Sequence, residues 1–161
     1  MPPTLPPTTK NVLVVVHCPS DNTRQLRDAL ITGVSHPDLT AISYKVTEPL
    51  TTSADDVMWA DGILLGTTEN FGYMSGAMKD FFDRIYYPCL EECQGLPCAV
   101  LIRAGLDGTG TKIAMEKILS GLKWKLIREP LISKGEFQPQ FLQEWRELGI
   151  TLAAGLEAGI Y

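Results

Sequence analysis

Short runs of apolar residues alternate along this chain with longer stretches in which apolar side chains recur every three or four residues. A run that is apolar throughout fits a strand covered on both faces of a sheet. Such runs occupy residues 12–16, 41–46, 62–66, 99–102 and 126–132. Strands that alternate with helices predict an α/β fold built on a parallel sheet.

Two of the intervening stretches show the helical period most clearly. Between residues 75 and 87 the apolar positions are Ala77, Met78, Phe81, Phe82 and Ile85, with charged residues on the other side. A last helix is predicted from about Pro139, and its apolar stripe consists of Phe141, Trp145, Leu148, Leu152 and Leu156. Aromatic side chains at this spacing are expected to pack in the core.

Composition limits what kind of protein this is. With 161 residues, 45% of them apolar, the chain can fill one core, so we expect a single domain over residues 10–161. Residues 1–9 contain four prolines and are predicted to be an extended tail. The net charge of -5 argues against a nucleic-acid partner. The longest aliphatic run, residues 12–16, is too short for a membrane span, and no export signal precedes it, so we expect a cytoplasmic protein.

The four cysteines are expected to be free thiols, because a chain of this size without an export signal needs no disulfides. Cys89, Cys93 and Cys98 follow a C-x3-C-x4-C spacing that lacks the paired knuckles and histidines of common zinc sites. We therefore predict no metal site.

Three loops should share one edge of the predicted sheet. Right-handed crossovers bring the carboxyl ends of parallel strands together, and ligands of doubly wound sheets bind there. The loops are residues 17–23 (loop 1), 67–74 (loop 2) and 103–110 (loop 3).

Loop 1 has the composition of a phosphate site. It reads HCPSDNT and leads directly from a valine-rich strand into a helix predicted to begin near Thr23. Backbone N–H groups at a helix N-terminus bind anions, and Ser20, Asn22 and Thr23 add donors while Arg24 adds positive charge. Ordinary helix capping explains the same residue types and stays open as an alternative.

The segment from residue 60 to 84 reads ADGILLGTTENFGYMSGAMKDFFDR. It resembles the flavin-holding strand, loop and helix of flavodoxin-like FMN proteins, especially NAD(P)H-dependent FMN reductases and NAD(P)H:quinone oxidoreductases. The resemblance extends over nearly the whole chain from Lys10 onward. It implies a flavodoxin-like three-layer sandwich with a five-stranded parallel sheet of order 2-1-3-4-5, with FMN at the carboxyl ends of the strands and NAD(P)H as electron donor.

The residues of loop 2 suit a flat ring. Phe71 and Tyr73 offer aromatic surface, while Gly66 and Gly72 would let backbone approach closely. Backbone amides of the loop could bind the polar edge of the flavin. The candidate cofactor-binding residues here are Thr67, Thr68, Glu69, Asn70, Phe71, Gly72 and Tyr73. The alternative is that the two aromatic rings only cover the end of the sheet.

Loop 3 is rich in glycine, and the resemblance implies that it covers the pyrimidine end of the flavin. Its candidate cofactor-binding residues are Arg103, Ala104, Gly105, Gly108 and Gly110. Flavodoxins that act as electron carriers usually place an aromatic residue in this loop, and none occurs here between residues 103 and 110. One flavin face is therefore expected to be open to a nicotinamide or quinone. No catalytic side chain is predicted, because the flavin would carry the chemistry.

Three functions follow from these expectations. The leading one is an FMN-dependent oxidoreductase that takes hydride from NAD(P)H and reduces a quinone or similar small-molecule acceptor. The second is a one-electron carrier that docks to a redox partner protein through its acidic surface. The third is a flavin-free binding module, which Asp21 favours because a carboxylate repels phosphate. Gly149, Gly155 and Gly159 of the last helix leave a homodimer open.

Overall fold

The computed structural model describes residues 8–161. The predicted tail, residues 1–9, lies largely outside this range. The strands are β1 (Lys10–Val16), β2 (Ile42–Thr47), β3 (Gly62–Asn70), β4 (Tyr73–Met74), β5 (Pro97–Ala104), β6 (Lys125–Leu126) and β7 (Leu131–Lys134). The helices are α1 (Asp21–Val34), α2 (Ala54–Trp59), α3 (Gly76–Cys89), α4 (Thr109–Leu122) and α5 (Pro139–Glu157), with a short 3-10 turn at Pro49–Thr51.

The sheet has the predicted order. The sequence of neighbours is β2, β1, β3, β5 and β6, all paired in parallel, and β7 continues along β5 beyond β6. The pair formed by β6 and β7 therefore occupies the fifth strand position. This confirms the flavodoxin-like order 2-1-3-4-5.

Helices cover both faces of the sheet and give the expected three layers. One core lies between the sheet and α2, α3 and α4, and it includes the side chains of Phe81, Phe82 and Met115. The other lies between the sheet and α1 and α5, where Trp145 is buried beside Leu26. Because both faces are covered, β1, β3 and β5 are buried over nearly their whole length, which explains their uninterrupted apolar sequence.

Two predicted strands differ in the structure. The strand predicted at residues 62–66 continues to Asn70 and turns back as a hairpin into β4, which pairs antiparallel with it. The strand predicted as continuous at residues 126–132 is divided into β6 and β7. Pro130 has no N–H to donate to the ladder, and the exposed Arg128 and Glu129 precede it. Pairing with β5 is therefore interrupted between Leu126 and Leu131.

Close packing of α1 against α5 requires glycine on both helices. A Cβ on Gly33 would lie 2.1 Å from the carbonyl oxygen of Arg146, and one on Gly149 would lie 2.7 Å from that of Leu30. The space beside Gly155 is also filled from within the chain, because the Tyr161 ring lies against it. Two of the three glycines that could have served a homodimer are therefore used inside the molecule. Among the described residues, no helix is both long and apolar enough to cross a membrane.

Candidate functional site at the carboxyl edge of the sheet

The strand register brings the three predicted loops together. Val16 pairs with Gly66, and the His17 N–H donates to the Gly66 carbonyl at 2.9 Å, which places loop 1 beside loop 2. Thr68 pairs with Arg103, which places loop 2 beside loop 3. Both contacts lie at the carboxyl ends of the strands, as the sequence predicted.

Loop 1 ends in a capping box at the start of α1. The Thr23 N–H donates to Ser20 Oγ at 3.3 Å, and the Ser20 N–H donates to Thr23 Oγ1 at 3.0 Å. Thr23 Oγ1 also donates to the Ser20 carbonyl, and the Thr23 side chain is buried. The helix begins at Asp21, two residues earlier than expected, because Ser20 is its N-cap. Thr23 thus shapes the loop, while Ser20 and Asn22 are exposed at its surface.

Charge at this helix start is internally paired. The Arg24 guanidinium contacts the Asp21 carboxylate, and about nine-tenths of the Asp21 side chain is exposed. Asp21 also stands in the first turn of α1, where a negative charge favours the helix. The cation predicted to meet a phosphate is therefore shared with a carboxylate of the same loop.

Two titratable groups precede the capping box. Burial lowers the pKa of His17, and the nearby negative charge of Glu48 partly opposes that shift. Burial also raises the pKa of the Cys18 thiol. Both groups are therefore favoured in their neutral forms at the entrance to loop 1.

Loop 2 is a tight hairpin with an aromatic residue at its tip. Asn70 pairs with Tyr73, so Phe71 and Gly72 alone form the turn, with φ values of 55° and 76°. Positive φ at both central residues is the backbone of a type I′ hairpin turn. The Phe71 ring is fully exposed and the Tyr73 ring is 40% exposed. A bulky residue in the left-handed region costs about 1–3 kcal/mol, and Phe71 gains no burial in return.

The base of the hairpin is held by buried hydroxyls. The Ser75 N–H donates to Thr67 Oγ1 at 3.1 Å, and Ser75 Oγ caps α3 by accepting from the Met78 N–H at 3.2 Å. Gly66 does not face open space, because a Cβ there would lie 2.9 Å from Val16 Cγ1. Gly66 therefore serves strand packing, and its approach to a flat ring stays a prediction. The Thr67 side chain is likewise committed to the protein, whereas Thr68 and Asn70 lie at or near the surface.

Glu69 connects loop 2 to loop 3. Its Oε1 accepts from the Gly108 N–H at 2.9 Å, and its Oε2 accepts from Thr111 Oγ1 at 2.7 Å and from the Thr111 N–H at 3.4 Å. The carboxylate thus satisfies donors at the N-terminus of α4, whose N-cap Gly108 has no side chain to do so. Gly110 packs against the hairpin, since a Cβ there would lie 2.2 Å from the Gly72 carbonyl oxygen.

The other residues of loop 3 divide into two groups. Arg103 turns toward the protein, where its Nη1 donates to the carbonyls of Ala104 and Ser133 and its guanidinium lies 5.2 Å from the centre of the Phe141 ring. Burial lowers the pKa of Arg103. Gly105 and Leu106 instead face open space, and Leu106 is 91% exposed. Ala104 is buried beside them.

The edge therefore presents a helix start with exposed polar groups, an exposed aromatic ring and an open glycine-containing loop. These features could hold an anion at loop 1 and a flat ring between loops 2 and 3. Thr111 and the contact of Gly110 with Gly72 were not predicted from the sequence. A signal for Thr111 was present, because a helix that begins at a glycine N-cap lacks a side-chain partner for its first N–H groups.

A doubly wound sheet with these loops at its carboxyl edge defines a class of α/β proteins that bind ligands at that edge. Residues 14–138 match the model of a family described as NADPH-dependent FMN reductase. The chain belongs to this family.

Individual relatives are similar over most of the chain. A flavodoxin from Aquifex aeolicus (strain VF5) is 30% identical over 111 residues, which cover 69% of this chain and 59% of the relative. The matched region thus spans less than two thirds of that relative. A flavodoxin from the domain Archaea superposes with a TM-score of 0.78 at 20% identity, covering 91% of this chain and 99% of its own. A WrbA-like flavodoxin from Agrobacterium tumefaciens gives a TM-score of 0.71 at 16% identity, with 91% and 96% covered.

Proposed function

We propose that this chain binds FMN at the carboxyl edge of its sheet and transfers electrons from NAD(P)H to a quinone or similar small-molecule acceptor. When bound, FMN supplies the hydride-accepting chemistry, and the protein supplies position and electrostatics. The proposal is supported by membership in the NADPH-dependent FMN reductase family and by the three adjoining loops.

The observation that best supports the proposal is the combination of backbone strain and full exposure at Phe71. Its backbone has a φ of 55° and its ring is fully exposed, so no packing within the described chain compensates for the strain. The hypothesis that Phe71 covers the end of the sheet does not fit this exposure. A ring ligand stacked on Phe71 and Tyr73 would bury that apolar surface.

The residues at loop 1 fit the phosphate end of FMN. Ser20 and Asn22 lie exposed at the helix start, Arg24 carries the charge, and the capping box of Ser20 and Thr23 holds the loop in shape. At the ring end, backbone amides from Thr68 to Tyr73 would meet the polar edge of the flavin. Among these residues Glu69 would act through its hold on loop 3 rather than by touching the ligand.

The open space beside loop 3 favours a hydride donor that stacks on the flavin ring. Loop 3 has no aromatic residue, Gly105 faces open space, and the most exposed side chain there is Leu106. Hydride transfer requires the donor carbon about 3 to 3.5 Å from the acceptor atom on an uncovered face. Such a face would admit a nicotinamide first and an acceptor afterwards.

Binding is tested by adding FMN to the purified protein and following its visible absorption and fluorescence. We expect the fluorescence to be quenched on binding and to be largely restored in a Phe71→Ala, Tyr73→Ala double variant, with weaker affinity. Tyr87→Ala is the matched control, because Tyr87 is also exposed but lies on α3. Unchanged quenching and affinity in the double variant would contradict the ring site.

Turnover is tested by anaerobic mixing of the FMN-loaded protein with NADH and with NADPH. We expect rapid loss of the visible absorption with at least one nucleotide and its return when a quinone is added. Bound FMN that neither nucleotide reduces would exclude the reductase.

The second candidate is a one-electron carrier, which the similarity to flavodoxins and the net charge of -5 favour. A carrier would bind FMN, resist both nucleotides and accept electrons from a reductase protein with a rate that falls as salt is added. If the protein did not bind FMN at all, the third hypothesis, a flavin-free binding module, would be favoured instead.

A further inference from the structure

Cys89 and Cys93 lie one turn apart at the end of α3. Cys89 is the last residue of the helix, and the Cys93 N–H donates to the Cys89 carbonyl at 3.0 Å. Residues joined by such a bond have Cα atoms about 6 Å apart, within the range that a disulfide can span. The Cα spacing therefore lies within disulfide range, and the Cβ atoms, about 5–6 Å apart at this spacing, would have to approach by a small local shift of the turn.

The two thiols differ in access to solvent. Cys89 is fully buried in the core beneath α2, α3 and α4, and its Sγ faces the Ala54 carbonyl at 3.9 Å. Cys93 is 9% exposed and lines a cavity of about 260 Å³ together with Met58, Asp61 and Leu96. A small reagent in that cavity would reach Cys93 first.

Electrostatics assigns different roles to the two thiols. Burial raises the pKa of both, that of Cys89 to about 12. The neighbouring Cys93 raises the pKa of Cys89 further, whereas Cys89 lowers that of Cys93. Cys93 lines the cavity and is the thiol of lower pKa, which makes it the attacking group and Cys89 the resolving one.

We propose that Cys89 and Cys93 form a reversible dithiol–disulfide site that reacts with low-molecular-weight disulfides entering the cavity at the amino edge of the sheet. The Cys93 thiolate attacks one sulfur of the reagent, forms a mixed disulfide and releases one thiolate. Cys89 then attacks Cys93 Sγ and gives its proton to the departing thiolate, so the Cys89–Cys93 bond forms and the second thiol leaves. The protein loses two electrons and two protons, and the reagent becomes two thiols.

The site is independent of FMN. The cavity is lined by residues that precede β3 and β5, whereas the loops of the proposed flavin site follow those strands. Failure of one proposal therefore leaves the other unaffected.

Oxidised glutathione serves as the probe, and mass spectrometry of the intact chain is the readout. Every variant in this experiment also carries the substitution Cys18→Ser, because Cys18 is partly exposed and would form its own glutathione adduct. We expect the Cys18→Ser protein to lose two hydrogens and keep no glutathione, with peptide mapping showing the Cys89–Cys93 link. Cys89→Ser added to it should retain one glutathione at Cys93, and Cys93→Ser should react at least tenfold more slowly.

Cys98→Ser is the matched control, because Cys98 is fully buried outside the pair, and the link should still form. The oxidation rate should rise about tenfold per pH unit below the thiol pKa, since the thiolate is the nucleophile. A stable adduct on Cys93 in the Cys18→Ser protein, a different pairing, or no reaction of the folded protein would each overturn the proposal. If a variant does not fold, peptide mapping of the unsubstituted chain after the same treatment still shows whether the Cys89–Cys93 link forms.

Discussion

Glu69 Oε2 accepts a hydrogen bond of 2.7 Å from Thr111 Oγ1, and this bond joins the hairpin of loop 2 to the first turn of α4. The other carboxylate oxygen accepts from the Gly108 N–H at the N-cap. Since loops 2 and 3 flank the proposed flavin ring, the carboxylate sets the distance between them. In the proposed flavin site Glu69 would therefore act as a positioning residue.

Glu69→Gln is expected to lower the free energy of unfolding by about 1–3 kcal/mol, because an amide N–H₂ would face donors that now meet a carboxylate. FMN affinity should fall with it, since both loops lose their common support. Urea unfolding and an FMN titration measure the two effects. Glu91→Gln, at an exposed carboxylate in the turn after α3, is the control. Equal stability of the two variants would contradict the role given to Glu69.

Gly110→Ala should move the hairpin, because its Cβ would lie 2.2 Å from the Gly72 carbonyl oxygen. Backbone cannot yield as a flexible side chain does, so we expect a loss of about 1–3 kcal/mol in unfolding free energy. Gly105→Ala is the matched control in the same loop, since a Cβ there meets no atom within 4 Å. It should be neutral or slightly stabilising, because alanine restricts the unfolded chain. Urea unfolding of both variants checks the pair, and similar losses would show that Gly110 is not packed against the hairpin.

The alternation of aliphatic runs and amphipathic stretches predicted an α/β fold on a parallel sheet, and the resemblance to flavodoxin-like FMN proteins implied the layers and the sheet order. The sequence did not predict the hairpin at residues 70–73, because a Phe-Gly turn lacks the usual Asn-Gly or Asp-Gly signal. The divided fifth strand was missed for a related reason. Residues 126–132 were predicted as one strand from their apolar residues, whereas the ladder with β5 is interrupted between Leu126 and Leu131.

The meeting of the three loops was predicted from the sequence, but several of their side-chain contacts were not. Loop positions follow from strand order, so all three loops were placed correctly relative to one another. The orientation of Arg103 toward Ser133 and Phe141 depends on tertiary packing that a local motif does not encode. The same is true of Glu69, whose partners lie 39 and 42 residues further along the chain.

His17 should make the stability of the protein depend on pH. Burial lowers its pKa in the folded state below the ordinary value of 6.5, so the unfolded chain takes up the proton first as pH falls. The contribution of neutral His17 is present above pH 6.5 and is lost as pH decreases from there toward the folded-state pKa. We expect His17→Asn to reduce the loss of unfolding free energy between neutral and mildly acidic pH. Urea unfolding across that range is the measurement, and identical pH profiles for wild type and His17→Asn would contradict it.

Asp21→Asn is expected to change FMN affinity and stability in opposite directions. Its carboxylate now contacts the Arg24 guanidinium and stands beside the proposed phosphate position, so its removal releases Arg24 and removes a repulsion. An exposed charge interaction of about 1 kcal/mol corresponds to about fivefold tighter FMN binding. The same change should lower the free energy of unfolding by about 0.3–1 kcal/mol, because the first turn of α1 loses a negative charge.

Riboflavin, which lacks the phosphate, is the control ligand for this variant, and its affinity should not change. Arg24→Ala should have the opposite effect. It should lower the affinity for FMN but not for riboflavin, and it leaves the capping box of Ser20 and Thr23 intact. Titration of each variant with both ligands by fluorescence quenching separates the phosphate from the ring. If Asp21→Asn weakened FMN, or if it shifted both ligands equally, the phosphate would not lie at the start of α1. A gain for FMN alone, together with the small loss of stability, would place the dianion at the start of α1.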